Sequence, residues 1–347
     1  ETKPSGCTRV TLENVNSLKY WTEVKHNRIM QVNDTRKRLQ TDLLAIVEPQ
    51  VDWSQVEPGG EKFHDILGRG EHKASIAGWN ETEQLARVQQ GGTAMMAFGG
   101  LSHHIAGRVA DPDRCVDPTG LGSFCSMVIM GGPTKVRAVT YYRPGDYDRR
   151  SQRRTATGEV TKPRLSVYEQ HVRYHMKSDE RGDPRELADK RLLVKLREWR
   201  ANGEEILLMG DFNQDVYEST LAEQLTSEDI GLEEQFQKLH GTRAPYSHMM
   251  GKKPIMAVYA TSGITVVSYF LSKHHAIGSV GDHRLHVLDV CSKTIMGRDT
   301  PQMTRSARRR LQFRHHKSRK KYIKDSVKMV TKHKMCRKVR ALQMMTP

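Results

Sequence analysis

The apolar run Ile206-Leu207-Leu208-Met209 ends in Gly210-Asp211-Phe212-Asn213, and this junction constrains the fold more than any other stretch. A short apolar run closed by glycine reads as a buried strand. The two-residue period of a strand then puts Asp211 and Asn213 on the same side of the backbone. Two hard oxygen donors at a strand's carboxyl end are what divalent-metal phosphate chemistry requires. Gly-Asp-x-Asn is also an ordinary turn, so its meaning depends on what accompanies it along the chain.

Helix and strand patterns alternate around this junction. Buried strands are expected at Leu43–Val47, Val136–Tyr142, Ile206–Met209, Val258–Ala260 and His286–Val290, with a polar helical segment around Asn27–Gln40. The clearest helix is Pro184–Ala201. Asp183 is placed to cap it, Pro184 suits its first position, Glu186 completes a capping box, and Gly203 follows its end. Residues 147–165 are polar, basic and aperiodic, and read as an exposed loop.

Net charge is +16 over 347 residues, and its location matters more than its size. Residues 298–347 carry 17 Lys/Arg against 2 Asp, which leaves 39 Lys/Arg against 38 Asp/Glu in residues 1–297. A neutral body with a basic tail fits a polyanion partner; an import signal or a solvated charged helix has the same composition. Within that tail, Tyr322, Ile323, Val327, Val330, Val339 and Leu342 suggest a weakly amphipathic helix. No apolar stretch approaches the length of a membrane span, and no membrane partner is expected. The five cysteines include no C-x-x-C pair, which argues for a reducing, intracellular compartment (nuclear or cytoplasmic) and against a zinc site. The chain opens at Glu1 rather than Met, so an upstream extension is expected.

Five polar motifs fall at or beside the expected strand ends. In order they are Asn14-Val15-Asn16-Ser17-Leu18, Glu48, Tyr142-Arg143-Pro144, Asp211-Phe212-Asn213 and Gly281-Asp282-His283-Arg284. In order and spacing, residues 8–291 resemble the endonuclease/exonuclease/phosphatase superfamily, the fold of apurinic/apyrimidinic endonucleases and DNase I. Gln90-Gly91-Gly92-Thr93-Ala94, Ser166 to His171 and Asp183 to Leu187 are similar to the endonuclease domains of non-LTR retrotransposon polyproteins. The basic stretch after Gly297 resembles the linker that joins such a domain to a downstream reverse transcriptase.

The resemblance implies roles for individual residues. Glu48, Asn14 and Asp282 would form the shell of a Mg²⁺ ion, with Mn²⁺ as a substitute. Asp211 would orient or deprotonate the attacking water, Asn213 would bind the scissile phosphate, and Tyr142 would donate a hydrogen bond or proton near it. His283 would be the phosphate-contacting acid/base. Asn16, Arg143, Arg308, Arg309, Arg310, Lys320 and Lys321 would contact phosphate or the nucleic-acid backbone. One departure counts against activity. The Asp that holds the catalytic His in its working tautomer is replaced by Met256, or in a second alignment by Ser268. Loss of such a carboxylate lowers turnover by orders of magnitude and spares the fold.

The expectation is an α/β protein: a two-sheet β-sandwich flanked by helices (four-layer, DNase I-like) over residues 1–293, then a basic, partly helical tail over 294–347. The expected activity is metal-dependent DNA nicking, with RNA as another substrate. Two alternatives stay open: a catalytically impaired nucleic-acid-binding remnant, and a small-molecule or lipid phosphoesterase of the same fold.

Overall fold

The computed structural model describes residues 2–18, 25–53, 67, 71–82, 89–106, 114–132, 134–146, 166–274, 280–297 and 316–332, with the backbone alone at 25–27, 316–319 and 321. The basic stretch 147–165 and Arg308, Arg309 and Arg310 lie outside the described residues, as does the side chain of Lys321.

Strand β1 (Cys7–Asn14) is followed by helix α1 (Lys25–Leu39), then by β2 (Leu43–Val47), β3 (Lys73–Gly78) and β4 (Thr93–Phe98). After the short α2 (Gly99–Ser102) come β5 (Arg114–Val116), β6 (Phe124–Ile129) and β7 (Val136–Tyr142). Helices α3 (Val167–Ser178) and α4 (Pro184–Ala201) precede β8 (Glu205–Asp211), α5 (Thr220–Leu225), β9 (Leu232–Glu234) and α6 (Gln235–His240). The body closes with β10 (Met256–Thr261), β11 (Val266–Leu271), β12 (His286–Cys291) and α7 (Ser292–Met296). The tail carries α8 (His316–Lys332). Residues 1–301 form one compact unit and 302–347 a second.

The strands form two six-stranded mixed sheets, ordered β11-β12-β1-β2-β4-β3 and β5-β6-β7-β8-β10-β9. Period-two alternation explains how they stack. Leu43, Ala45 and Val47 of β2 belong to the core between the sheets, while Leu44 and Ile46 pack with Ile29 and Val32 of α1. In β8, Leu207 and Met209 face inward, while Ile206 and Leu208 join Leu192, Leu196 and Trp199 of α4. Helices therefore cover outer faces, and each fully buried aliphatic side chain contributes roughly 1.5–3 kcal/mol.

Helix α4 has the bounds the sequence suggests, with one correction at its start. Asp183 caps it by accepting from the Arg185 N–H. The reciprocal capping box lies instead at the start of α3, between Ser166 and Glu169. Asp183 is also held by the Arg185 guanidinium at 2.8 Å, and this completes the cap without Glu186.

Candidate active site

The inward alternation that builds the core also builds the site. Val10 and Leu12 face the core, and the next inward position of β1 is Asn14. Leu207 and Met209 do likewise, and the next inward position of β8 is Asp211. Tyr142 continues the inward side of β7. Parallel pairing of β1 with β2 (Asn14 opposite Val47) and of β7 with β8 (Tyr142 opposite Asp211) aligns the carboxyl ends within each sheet. The two sets of ends meet at one edge of the sandwich, where the core changes from apolar to polar.

Glu48 leaves β2 in the left-handed region, with φ of 54°. Its N–H donates to the Gly92 carbonyl at 3.0 Å, and the Gln50 N–H donates to that of Gly91 at 3.1 Å. The Gln90-Gly91-Gly92 turn therefore pins this carboxylate from below. Seven described non-glycine residues have positive φ, and five of them (Asn16, Ser17, Glu48, Gln50 and Asn213) border the site. Such conformations persist only where surrounding structure enforces them. At the opposite wall, Gly281 admits the main chain of β1: a Cβ there would lie 2.0 Å from the Asn14 carbonyl oxygen.

Asn14 joins the two central carboxylates. Its Nδ2 donates to Glu48 Oε2 at 2.9 Å and to Asp211 Oδ2 at 2.8 Å, while its Oδ1 accepts from the Asn16 N–H at 2.9 Å. This arrangement turns the donor nitrogen of the amide to the carboxylates and gives its oxygen to the Asn16 N–H, where the expectation had Asn14 in the metal shell. Glu48 also accepts from the Tyr142 hydroxyl. His283 is 6% exposed, with Nδ1 3.8 Å from Asp211 Oδ2 and Nε2 3.8 Å from Asp282 Oδ1. Asn16 donates to Asp282 Oδ2 at 3.0 Å.

Asn213 donates through its backbone to Asp211 Oδ1 at 3.1 Å and through Nδ2 to the Arg143 carbonyl at 2.7 Å. Arg143 is a second such case. Its Nε lies 3.0 and 2.9 Å from the two oxygens of Asp189, and the residue is 6% exposed. It alternates to the outer face of its strand with Tyr141, whose hydroxyl binds the same Asp189 at 2.7 Å. That ion pair accounts for an arginine following Tyr142, and it commits the Arg143 guanidinium to Asp189 where the expectation had it contacting phosphate.

Burial dominates the electrostatics. It pushes the Asp211 carboxyl up to about 6, opposed by hydrogen bonds from Asn14 and the Asn213 backbone. Glu48 is raised by burial, with the Tyr142 hydrogen bond opposing and the Asp211 charge adding to the rise. Tyr142 is raised well above the usual phenol range by burial and by the Glu48 charge. Burial holds His283 down to about 4, against the pull of Asp282 and Glu48. Such opposed shifts are the pattern of acid/base sites.

No carboxylate occupies either expected position beside His283. Met256 is fully buried in the core, opposite Asp211 in the sheet. Ser268 donates to Asp289 at 2.8 Å. Two contributors escaped the sequence reading. Arg28 Nη1 donates to the carbonyls of Val15, Asn16 and Ser17 at 3.1, 2.9 and 2.6 Å, holding the turn that carries Asn16. His248 packs edge-on against His283, with ring centroids 4.8 Å apart, and lies 3.3 Å from Asp282 Oδ2. Neither has a local motif; both reach the site from positions distant in sequence.

Lys320 lies on α8, which also exposes Lys324, Lys328 and Lys332. Tyr322, Ile323, Val327 and Val330 of the same helix are exposed as well. Among the described residues, no helix is long and apolar enough to cross a membrane.

No protein-family model matches the chain. No curated protein matches it in sequence. Solved structures do match in shape. The human Nocturnin catalytic domain with bound sulfate anion is 11% identical, with a TM-score of 0.53 over 82% of this chain and 93% of that one. AP endonuclease LMAP from Leishmania major is 11% identical, with a TM-score of 0.54 over 82% of this chain and 88% of that one. An endonuclease/exonuclease/phosphatase from Bacteroides vulgatus is also 11% identical, with a TM-score of 0.50 over 82% of this chain and 98% of that one. The two helix-flanked mixed sheets have the DNase I-like fold of these neighbours.

Proposed function

We propose that the chain is a divalent-metal-dependent phosphodiesterase that nicks DNA, of the type carried by non-LTR retrotransposon polyproteins. The observation that carries this reading is the buried pair Glu48 and Asp211, bridged by Asn14 and flanked by His283, at the edge where the two sheets' strand ends meet. The fold shared with an AP endonuclease supports it. The retroelement type rests on the Gln90–Ala94, Ser166–His171 and Asp183–Leu187 motifs and on the basic tail.

The donor set fits Mg²⁺. Glu48 and Asp211 are oxygen donors raised by burial and, for Glu48, by mutual repulsion, and Asp282 Oδ1 is buried without a hydrogen-bond partner among the described residues. Glu48 and Asp282 would hold the ion. When bound, it would neutralise charge on a non-bridging phosphate oxygen. The chain's own residues would do the rest. Asp211 takes a proton from the attacking water, and Asn14 keeps it aligned with Glu48. The Tyr142 hydroxyl, now given to Glu48, turns to the phosphate. His283, held neutral by burial, donates an N–H hydrogen bond to a phosphate oxygen. As the water oxygen bonds to phosphorus the bond to the departing sugar oxygen breaks, and that oxygen takes a proton from the Tyr142 hydroxyl or from solvent. The exposed lysines of α8 add sequence-independent phosphate contact, so binding should weaken steeply with salt.

Met256 favours a second reading, in which the chain binds DNA without cutting it. Incubating supercoiled plasmid with the purified chain, with Mg²⁺ or with EDTA, separates the two. Nicking that requires the metal and disappears in Asp211→Asn is the expected result. An intact plasmid that is still retarded on a gel would sink the enzyme reading and leave the remnant.

A further inference from the structure

His248 takes no part in the chemistry above, yet it is fastened to the residues that do. Residues 248 and 283 form an isolated antiparallel bridge. On either side of it the Met249 N–H donates to the Asp282 carbonyl and the Arg284 N–H to the Ser247 carbonyl, both at 2.9 Å. The Ser247 hydroxyl accepts from the Ile255 and Met256 N–H groups at 3.1 Å, which ties this segment to the start of β10. The two imidazoles are therefore held across a short ladder of backbone hydrogen bonds.

We propose that His248, Asp282 and His283 form a binding site for a borderline transition cation, with Zn²⁺ or Co²⁺ as its occupant. One ligand atom from each residue lies within 4.8 Å of the other two. His248 Nε2 is 3.3 Å from Asp282 Oδ2, and His283 Nε2 is 3.8 Å from Asp282 Oδ1. Donors at tetrahedral bonding distance from one ion are about 3.4 Å apart, so binding requires closure by roughly an ångström. Asp282 Oδ1 supplies the second observation: it is buried and has no hydrogen-bond partner among the described residues. A buried carboxylate oxygen that has no hydrogen bond and only an imidazole nitrogen 3.8 Å away calls for an explanation, and a cation bound between the two rings provides one.

Two nitrogens and one oxygen select against Mg²⁺, which takes oxygen ligands, and for Zn²⁺ or Co²⁺. The cysteine spacing argues against a thiolate-built zinc site, but these donors are imidazoles. The proton balance is local. The Met250 N–H donates to His248 Nδ1 at 3.2 Å, so the neutral ring carries its proton on Nε2, facing Asp282. A cation at Nε2 moves that proton to Nδ1, the ring stays neutral, and the Met250 amide turns away. Met250 is 80% exposed, so the loop is free to yield. Where the nuclease reading holds, such an ion occupies the acid/base histidine and inhibits cutting.

Titrating the full chain with Co²⁺ and following its visible d–d bands tests the site directly, with no reference to cutting. One ion should bind, Zn²⁺ should displace it, and equimolar Mg²⁺, which shares only Asp282 with this site, should not. His248→Ala should weaken binding by at least about tenfold, the loss that removing a residue merely hydrogen-bonded to a metal ligand already causes. His248→Cys keeps a ligand and should retain the ion while adding a thiolate charge-transfer band. Far-UV circular dichroism checks that both variants fold, and the cysteine variant decides if the alanine variant does not. Absent Co²⁺ binding, equal binding by His248→Ala, displacement by equimolar Mg²⁺, or a cysteine variant without the charge-transfer band would each overturn the proposal. Zn²⁺ inhibition of nicking is a separate arm that rests on the nuclease reading. Its failure with Co²⁺ binding intact would count against the assigned role of His283 and not against the site.

Discussion

The molecule buries carboxylates in two ways. In the body of the sandwich Asp289, Glu204 and Asp189 each face a guanidinium. Arg9 binds Asp289 through Nε and Nη2 at 2.7 and 2.8 Å with both side chains 1% exposed, and Arg137 binds Glu204 at 2.5 and 3.0 Å. At the candidate site Glu48 and Asp211 are buried as well, but among the described residues neither forms an ion pair with an arginine or lysine. Their partners are an amide, a phenol and a histidine held neutral. The first arrangement is electrostatically complete within the chain. On the proposed function the second would be complete only with a cation bound, and the chain bears that cost in the meantime.

Breaking a complete pair should have the largest effect. Arg9→Met leaves Asp289 buried and unpaired and should destabilise by ~3–5 kcal/mol in urea titrations; pairing it with Asp289→Leu should restore most of the loss. A single-variant loss below 1 kcal/mol would mean the two classes do not differ.

Glu13 is the intermediate case. It is a buried carboxylate with the Val280 N–H as partner, pushed up to about 7 by burial. Because the folded value is raised, its contribution is fully present below the unfolded value near 4.5 and is lost as pH rises through about 7. Glu13→Gln should therefore be neutral at pH ~4.5 and gain up to ~3 kcal/mol at pH ~8, from a shift of about 2.5 units at 1.36 kcal/mol each. An urea midpoint difference that is flat with pH would refute this.

Asp211 has the same sign: stability present below about 3.8 is lost as pH rises through about 6. At pH ~7.5 in EDTA, Asp211→Asn should raise stability by ~1–2 kcal/mol, since the relieved burial is offset in part by the lost Asn14 hydrogen bond. It should also abolish nicking. A variant less stable than wild type would mean the site is already complete without metal. The smallest effect sharpens the contrast: Mg²⁺ at tenfold its Kd should stabilise wild type by ~1.4 kcal/mol and Asp211→Asn by less, read as a shift in melting temperature.

Legibility in the sequence followed the range of the forces. Helix α4 was readable to its ends because Asp183, Pro184 and Gly203 act within one turn of it. The ends of β2, β7 and β8 were readable because a period of two, carried to the end of each apolar run, brings Tyr142 and Asp211 to one edge. Strands β1, β3 to β6, β9 and β11 were not anticipated; β3 carries Lys73, Ser75 and three glycine or alanine positions, so alternation is faint there. The long-range partners were invisible. Asp189 capturing Arg143, Asn16 fixing the Asn14 amide, and His248 and Arg28 reaching the site all depend on which side chain wins a three-dimensional competition. No local spacing encodes that outcome.

One further consequence follows from the pairing of β1 with β12. Cys7 lies opposite Cys291 and Leu12 opposite His286, so the first and last strands of the body are neighbours. Asn14 and His283 meet across that seam, with the Gly281 main chain against the Asn14 carbonyl. A ribosome has therefore to release residue 291 before the carboxylate cluster can close on His283. Translation itself acts as a timer: a nascent chain that already carries Glu48 and Asp211 but not His283 has no assembled site.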